Sequence, residues 1–144
     1  DPMHHLDEFA ASGADSVTFH VEATDDPEGV AGRARERGLS VGIAFNPETA
    51  PEDAAAFAVR AGAELALCMS IRPGYSGQAF LPESLGRISR LRELVDVPIQ
   101  VDGGVGVALA RDLARAGATV LVAGSAVFGD PDPAAAYARI LEAA

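Results

Sequence analysis

Short glycine-centred segments recur along this chain and constrain its fold more than any other feature. Three of them stand between a helix-like stretch and a strand-like stretch, and Gly38 marks a fourth such point: Ser12-Gly13-Ala14-Asp15, Ala61-Gly62-Ala63-Glu64 and Ala116-Gly117-Ala118-Thr119. Glycine ends helices because it adopts left-handed backbone angles without steric cost. The recurrence therefore predicts a chain in which helices and strands alternate throughout.

Hydrophobic patterning between these glycines predicts five strands, at residues 16–22, 39–45, 65–71, 98–102 and 120–125. Helices are predicted over residues 1–9, 27–37, 51–61 and 107–116, with a further helix that carries Leu85 to Leu94 and a last helix capped by residues 130–133. On the first helix the predicted apolar face is Leu6, Phe9 and Ala10, and on the last it is Tyr137, Ile140 and Leu141. The fourth helix buries Leu85, Ile88, Leu91 and Leu94 and turns outward Arg87, Arg90, Arg92 and Glu93.

Strict alternation of strands and helices predicts an α/β fold with a parallel sheet and right-handed crossovers, in one domain over residues 1–144. Two architectures fit this pattern, an open doubly wound sheet and an arc of a (β/α)₈ barrel. The ends of the last two strands favour the barrel, because Asp102-Gly103-Gly104 and Ala123-Gly124-Ser125 match the phosphate site that barrels build there. In a barrel arc, core-facing strand residues would come from among Val17, Ile43, Leu67, Val101 and Val122.

Charge and composition exclude several classes of partner. The net charge is −10 and all 11 basic residues are arginine, so the chain offers no basic patch for nucleic acid. No apolar run approaches the ~20 residues that span a bilayer, so we expect no membrane interaction. The start does not resemble a signal peptide, and Cys68 is the single cysteine. These features predict a protein of the reducing cytoplasm.

The stretch Pro98-Ile99-Gln100-Val101-Asp102-Gly103-Gly104-Val105 carries the clearest chemical signal. An apolar strand that ends in aspartate delivers a carboxylate to the carboxyl-terminal edge of a parallel sheet. The two glycines that follow let backbone N–H groups approach an anion closely. Taken alone, the same residues also fit an ordinary strand-to-turn junction with Asp102 as a turn former.

Four segments together resemble the ribulose-phosphate 3-epimerase family of the pentose phosphate pathway. They are Thr18-Phe19-His20-Val21-Glu22-Ala23, Met69-Ser70-Ile71-Arg72-Pro73-Gly74-Tyr75-Ser76-Gly77-Gln78-Ala79-Phe80, Val101-Asp102-Gly103-Gly104-Val105 and Val122-Ala123-Gly124-Ser125-Ala126-Val127-Phe128. The second is long and specific, and the resemblance covers essentially the whole chain. It implies a TIM barrel isomerase that inverts the carbon beside the ketone of a phosphorylated ketopentose, with D-ribulose 5-phosphate and D-xylulose 5-phosphate as its two substrates.

The resemblance also implies roles for individual residues. Asp102 would be one of two acid/base carboxylates and a ligand of a divalent metal, usually zinc, with iron, manganese or cobalt as alternatives. Gly74, Tyr75, Ser76 and Gly77 would form the loop that closes over the substrate, although the family commonly has glycine where Ser76 stands. Gly103, Gly104, Gly124 and Ser125 would bind phosphate through backbone N–H groups, and Met69 would line the active site or belong to the core.

The matching part of the family barrel is its last five βα units, preceded by the helix of the third. The strands that carry the second carboxylate and the other three metal ligands have no counterpart here, and His4, His5 and His20 do not stand at matching positions. We therefore expect the 144 residues alone to be inactive and to self-associate through two open sheet edges, at the strands containing Phe19 and Leu121. A homo-oligomer is the expected state.

Two other functions remain open from the residues. One is an epimerase for a phosphorylated ketohexose, because the retained motifs do not read sugar length. The other belongs to a different class, a non-catalytic barrel fragment that binds phosphate or associates with copies of itself.

Overall fold

A computed structural model describes residues 1–74 and 77–144, and its central feature is a five-stranded parallel sheet. The strands are β1 (Ser16–His20), β2 (Ser40–Phe45), β3 (Leu65–Met69), β4 (Ile99–Asp102) and β5 (Val120–Val122). They pair in chain order, β1-β2-β3-β4-β5, and every neighbouring pair is parallel. The predicted fold is confirmed, and the strand order decides between its two variants because a doubly wound sheet reverses its order and this one does not.

Helices connect successive strands of the sheet. In the described residues they are α1 (Leu6–Ala11), α2 (Pro27–Arg35), α3 (Pro51–Ala61), α4 (Ser84–Leu94), α5 (Val107–Ala116), α6 (Ser125–Phe128) and α7 (Pro133–Ala143), with 3₁₀ turns at Pro2–His5 and Val21–Ala23. Proline opens α2, α3 and α7, where its missing N–H has no intrahelical partner to lose. Asp26 and Asp132 cap α2 and α7 by accepting backbone N–H bonds at 2.9 and 3.0 Å.

Several predicted boundaries were wrong at the carboxyl ends of strands. β1 and β3 each end two residues early, at His20 and Met69, and β5 ends at Val122 rather than at residue 125. The backbone of Gly124 leaves the extended region (φ −91°, ψ −83°), and Ser125 begins the short helix α6 instead of continuing the strand. The chain therefore turns at the positions where the sequence placed its candidate ligand-binding residues.

The helices cover one face of the sheet. Right-handed crossovers that always step to the next strand in the same direction leave the connecting helices on the same side. Strand residues on that side form the main core, among them Phe19, Val41, Ile43, Phe45, Ala66, Cys68, Ile99 and Val101. Side chains of the alternate residues, such as Leu67 and Val122, point to the opposite face, which is the inner face of a barrel arc.

The predicted set of barrel-core residues mixed these two faces. Ile43 and Val101 are fully buried against the helices, and Val17 also packs there. Leu67 and Val122 lie on the inner face and are half-buried. The sequence left the choice among these candidates open, because parallel strands in such a fold are apolar on both faces and hydrophobicity alone does not give the direction of a side chain.

Three predicted helix faces also need correction. Phe9 is 49% exposed although Leu6 of the same helix is buried, and Tyr137 and Leu141 are 60% and 63% exposed, whereas Ile140 beside them is buried. Tyr137 and Leu141 instead line an apolar groove of about 280 Å³ along β5. Arg87 does not point outward, and its contacts are described with the site.

The sheet has β1 and β5 as its outer strands, as predicted, and in the described part of the chain each pairs on one side only. The backbone groups on their outer sides are available to another strand. Among the described residues, no helix is long and apolar enough to cross a bilayer.

Candidate active site at the carboxyl edge of the sheet

Asp102 is the last paired residue of β4, at the carboxyl edge of the sheet. The parallel register places it opposite Met69 of β3 and Val122 of β5, so these three side chains share the inner face at the carboxyl edge. Val101, the preceding residue, is fully buried on the helix side. Alternation along β4 therefore turns the Asp102 carboxylate away from the main core, and it is only partly buried.

A cleft of about 350 Å³ opens beside this carboxylate. Its described lining is Ile71, Gly77, Asp102, Gly103, Gly104, Val105, Val122, Gly124 and Ser125. The cleft thus brings together Asp102, Gly77 and the four residues expected to bind phosphate. Met69 is next to Asp102 in the sheet but does not line the cleft, and neither does Gly74. The predicted loop residues Tyr75 and Ser76 lie outside the described residues.

Gly103 and Gly104 carry the chain past the end of β4 in conformations that favour glycine, with φ of +117° and +67°. They are also packed too closely for a side chain. A Cβ at Gly103 would lie 2.6 Å from Ile71 Cγ1, and one at Gly104 would lie 2.6 Å from the backbone nitrogen of Phe80. The segment after β3 therefore rests directly on the backbone of the two glycines.

Gly124 and Ser125 begin the short helix α6 at the opposite side of the cleft. The Gly124 carbonyl accepts hydrogen bonds from the N–H groups of Val127 and Phe128, at 3.0 and 2.9 Å. The first N–H groups of a helix have no partner within it, and both Gly124 and Ser125 are exposed. The backbone of two strand ends, after β4 and after β5, thus lines one space.

Arg87 supports this edge from α4 and was not expected there. Its guanidinium donates to the carbonyls of Asn46, Thr49 and Met69, at 2.7, 3.0 and 3.2 Å. It also lies 5.0 Å from the centre of the Phe45 ring. The position of Arg87 in the sequence indicated this, because Arg87 lies on the same face of α4 as the buried residues Ser84, Ile88 and Leu91.

Glu22 holds the loop after β2 against the end of β1. It accepts from the backbone N–H of Asn46 at 2.8 Å, from the Thr49 hydroxyl, and lies 3.1 Å from Nδ1 of His20. Burial raises the pKa of this carboxyl, but the hydrogen bonds outweigh burial and the net pKa is lowered. His20 is accordingly paired with Glu22.

Cys68 is unsuited to nucleophilic chemistry. It is fully buried, and burial raises the pKa of its thiol to about 11 against the opposing charge of Arg87. At neutral pH it stays protonated, and only thiolates are strong nucleophiles.

The residues described do not form a metal site by themselves. Within residues 1–74 and 77–144 no three His, Cys, Asp or Glu side chains are grouped so that they could hold an ion. Asp102 is the one candidate ligand in the described lining of the cleft, whereas a structural or catalytic zinc takes at least three protein ligands.

A second hollow, of about 400 Å³, lies between the Val21–Ala23 turn and α3. Its charged lining is Glu22, Asp53 and Arg60, and Glu22 is already occupied by its hydrogen bonds to the loop. Its described lining contains no glycine. The cleft at Asp102 is the candidate site because of its lining residues, although the second hollow has the larger volume.

The five parallel strands in chain order define an arc of a (β/α) barrel, and the cleft lies at the carboxyl ends of its last two strands. Solved structures agree: 3-hexulose-6-phosphate synthase superimposes with a TM-score of 0.76 at 28% identity, over 99% of this chain and 68% of that one. KGPDC from Streptococcus mutans gives a TM-score of 0.77 at 18% identity, over 99% of this chain and 66% of that one, which supports the fold alone.

Sequence relatives identify the family of barrel proteins to which the chain belongs. The model of the ribulose-phosphate 3 epimerase family matches residues 1–128, and the chain belongs to this family. It is 40% identical over 137 residues to a ribulose-phosphate 3-epimerase of Mycobacterium bovis, covering 92% of this chain, and 38% identical over 140 residues to one of Escherichia coli, covering 94%. The chain spans only 59% and 60% of those two relatives.

The close packing of Gly104 against Phe80 gives a testable prediction. Alanine at Gly104 combines an unfavourable left-handed backbone with a steric clash, whereas alanine at Gly38 (φ +77°) has the same backbone problem and nothing within 4 Å. We expect Gly104→Ala to lower the free energy of unfolding by about 1–3 kcal/mol more than Gly38→Ala. Urea denaturation of both variants measures the difference, and equal losses would contradict the described packing.

Proposed function

We propose that the protein to which this chain belongs is a ribulose-phosphate 3-epimerase that interconverts D-ribulose 5-phosphate and D-xylulose 5-phosphate. In this proposal residues 1–144 form a single domain, the fourth to eighth βα units of the barrel. One observation carries it: the Asp102 carboxylate stands in a cleft whose other walls are glycine-rich backbone from two strand ends. Membership of the family and its curated relatives support the choice of substrate.

The cleft suits the two ends of such a substrate. The backbone N–H groups of Gly103, Gly104, Gly124 and Ser125 would bind the phosphate, which fits a chain that has no lysine. Asp102 would take or return the proton at the carbon beside the ketone, on one face of the sugar. Gly74, Tyr75, Ser76 and Gly77 would close over the substrate, and Met69 would pack beside the reacting carbons.

Inversion at carbon needs a second proton-transfer group on the opposite face, because a single carboxylate returns the proton to the side from which it came. The described lining of the cleft supplies one carboxylate. The second would come from units of the family barrel that have no counterpart among these 144 residues. We accordingly propose that the chain is active only together with those units.

A divalent metal is expected in the family, and zinc is the usual one. When bound, such an ion supplies stabilisation of the negative charge that develops on the oxygen of the substrate. Asp102 fits as one ligand, but the described residues do not complete the set. The actions assigned above to Asp102 and to the backbone donors are therefore derived without the metal.

We also propose a ligand and a cellular location for the protein. A phosphorylated ketose is the expected ligand, and the reducing cytoplasm the expected location, since Cys68 is an unpaired thiol buried in the core. The second candidate, an epimerase for a phosphorylated ketohexose, uses the same site residues. Assaying both sugar phosphates with the same protein separates the two.

The first prediction from this proposal concerns activity. Joined to a segment that supplies the first three units of the barrel, the chain should epimerise D-ribulose 5-phosphate in the presence of a divalent metal. Asp102→Asn should lower kcat by at least about 100-fold, because an amide does not transfer the proton. The matched control is Asp96→Asn, an exposed aspartate next to β4 at the opposite edge of the sheet. A coupled assay for D-xylulose 5-phosphate measures turnover, and near-normal turnover of Asp102→Asn would refute the assignment.

The second prediction concerns the 144 residues alone, which should lack epimerase turnover and self-associate. Val120, Phe128, Tyr137 and Leu141 leave apolar surface exposed beside the outer strand β5, and covering such a side chain gains about 1.5–3 kcal/mol. Leu141→Lys should shift the mass seen by light scattering toward the monomer. Val59→Lys, on a comparably exposed valine of α3, should not. A monodisperse, catalytically active monomer would contradict the proposal.

A further inference from the structure

Ser70 is a fully buried polar residue immediately after β3, and neither the sequence patterns nor the proposed chemistry assigns it a role. Its hydroxyl oxygen lies 2.8 Å from the carbonyl oxygen of Asp102 and 2.7 Å from that of Gly103. Its backbone N–H also donates to the Asp102 carbonyl, at 2.8 Å. Two successive carbonyls at the end of β4 are thus held by one residue of the neighbouring strand end.

Holding these two carbonyls also determines the direction of the N–H groups of Gly103 and Gly104. A peptide unit is planar and trans, so its C=O and its N–H point in opposite directions. The Asp102 carbonyl shares its plane with the N–H of Gly103, and the Gly103 carbonyl shares its plane with the N–H of Gly104. When Ser70 draws both oxygens toward itself, both N–H groups are directed away from Ser70.

The glycines make such a restraint necessary. Gly103 and Gly104 lack side chains, and glycine loses more conformational freedom on ordering than any other residue. Their peptide planes would rotate easily without a partner. Close contact with Ile71 and Phe80 limits their position, and the hydrogen bonds of the Ser70 hydroxyl limit the orientation of the two planes.

Ser70 also closes the loop that follows it. Its carbonyl accepts from the N–H of Leu81 at 2.9 Å, which joins the two ends of the segment at residues 71–80. This segment contains Gly74 and Gly77, which are expected to cover the substrate. One residue is therefore bonded both to the base of this loop and to the turn that carries the anion donors.

We propose that Ser70 is a positioning residue whose buried hydroxyl orients the peptide units after Asp102 so that the N–H groups of Gly103 and Gly104 face the phosphate of the substrate. The inference rests on the proposed function, since it assumes that these N–H groups bind phosphate. The hydroxyl has one proton, which the two carbonyls share. Ser70 itself does not contact the substrate.

The test compares Ser70→Ala with Ser84→Ala. Ser84 is equally buried, and within the described chain its hydroxyl has no hydrogen-bond partner, so its removal costs no bond. Ser70→Thr keeps the hydroxyl and serves as the rescue variant. If Ser70→Ala does not fold, Ser70→Cys takes its place, because it keeps the side-chain size with only a weak donor.

Two measurements on the 144-residue chain decide the outcome. Calorimetric titration with inorganic phosphate and with D-ribulose 5-phosphate should show affinity reduced roughly tenfold in Ser70→Ala, unchanged in Ser84→Ala and at least partly restored in Ser70→Thr. Hydrogen exchange followed by mass spectrometry should show faster exchange in peptides that cover residues 102–106 in Ser70→Ala only.

The two measurements also separate the inference from the proposed function. If the unaltered chain binds neither phosphate compound, the phosphate site of the proposed function is wrong. The role of Ser70 is then tested only by the rate of hydrogen exchange in peptides that cover residues 102–106. If Ser70→Ala lowers stability but leaves exchange there and phosphate affinity unchanged, Ser70 only fills space and the inference is overturned. Failure of Ser70→Thr to restore either readout would also overturn it.

Discussion

The parallel pairing of five strands in chain order is the constraint on which the rest of the structure depends. It places the helices that connect the strands on one face and brings the carboxyl end of every strand to one edge. The segments that follow β3, β4 and β5 are distant in sequence, yet all of them contribute to one cleft. The candidate site residues gather there because the topology leaves those segments the freedom to vary while the strands stay fixed.

Hydrogen bonds beyond the strands hold this edge together. Glu22 joins the end of β1 to the loop after β2, Arg87 joins that loop to the end of β3, and Ser70 joins the end of β3 to the turn after β4. Each of these side chains bonds to backbone atoms and so holds peptide units in place. A site that binds its ligand through backbone N–H groups requires this kind of support, since its donors have no rotamers of their own to lock.

The sequence was sufficient for the architecture and for placing Asp102, Gly77 and the glycine-rich strand ends at one cleft, because repeated glycine stops and strand-end motifs are local signals. It was insufficient wherever a tertiary contact decides the outcome. Arg87 looked like a solvated arginine, but its contacts come from a loop 38 to 41 residues away. Ser70 lay inside a recognised motif without a role, because its partners belong to the next strand. Val17, Ile43 and Val101 could not be separated by face from Leu67 and Val122, because both faces of the sheet are apolar.

The central claim is that Asp102 and the backbone donors of two strand ends form one site for a phosphorylated ketose. A crystal structure of the protein with D-ribulose 5-phosphate bound tests it most directly. The account predicts the phosphate within hydrogen-bonding distance of the N–H groups of Gly103, Gly104, Gly124 and Ser125, with the Asp102 carboxylate next to the carbon beside the ketone. A sugar phosphate bound instead in the hollow beside Arg60, or with its phosphate away from these glycines, would contradict the account.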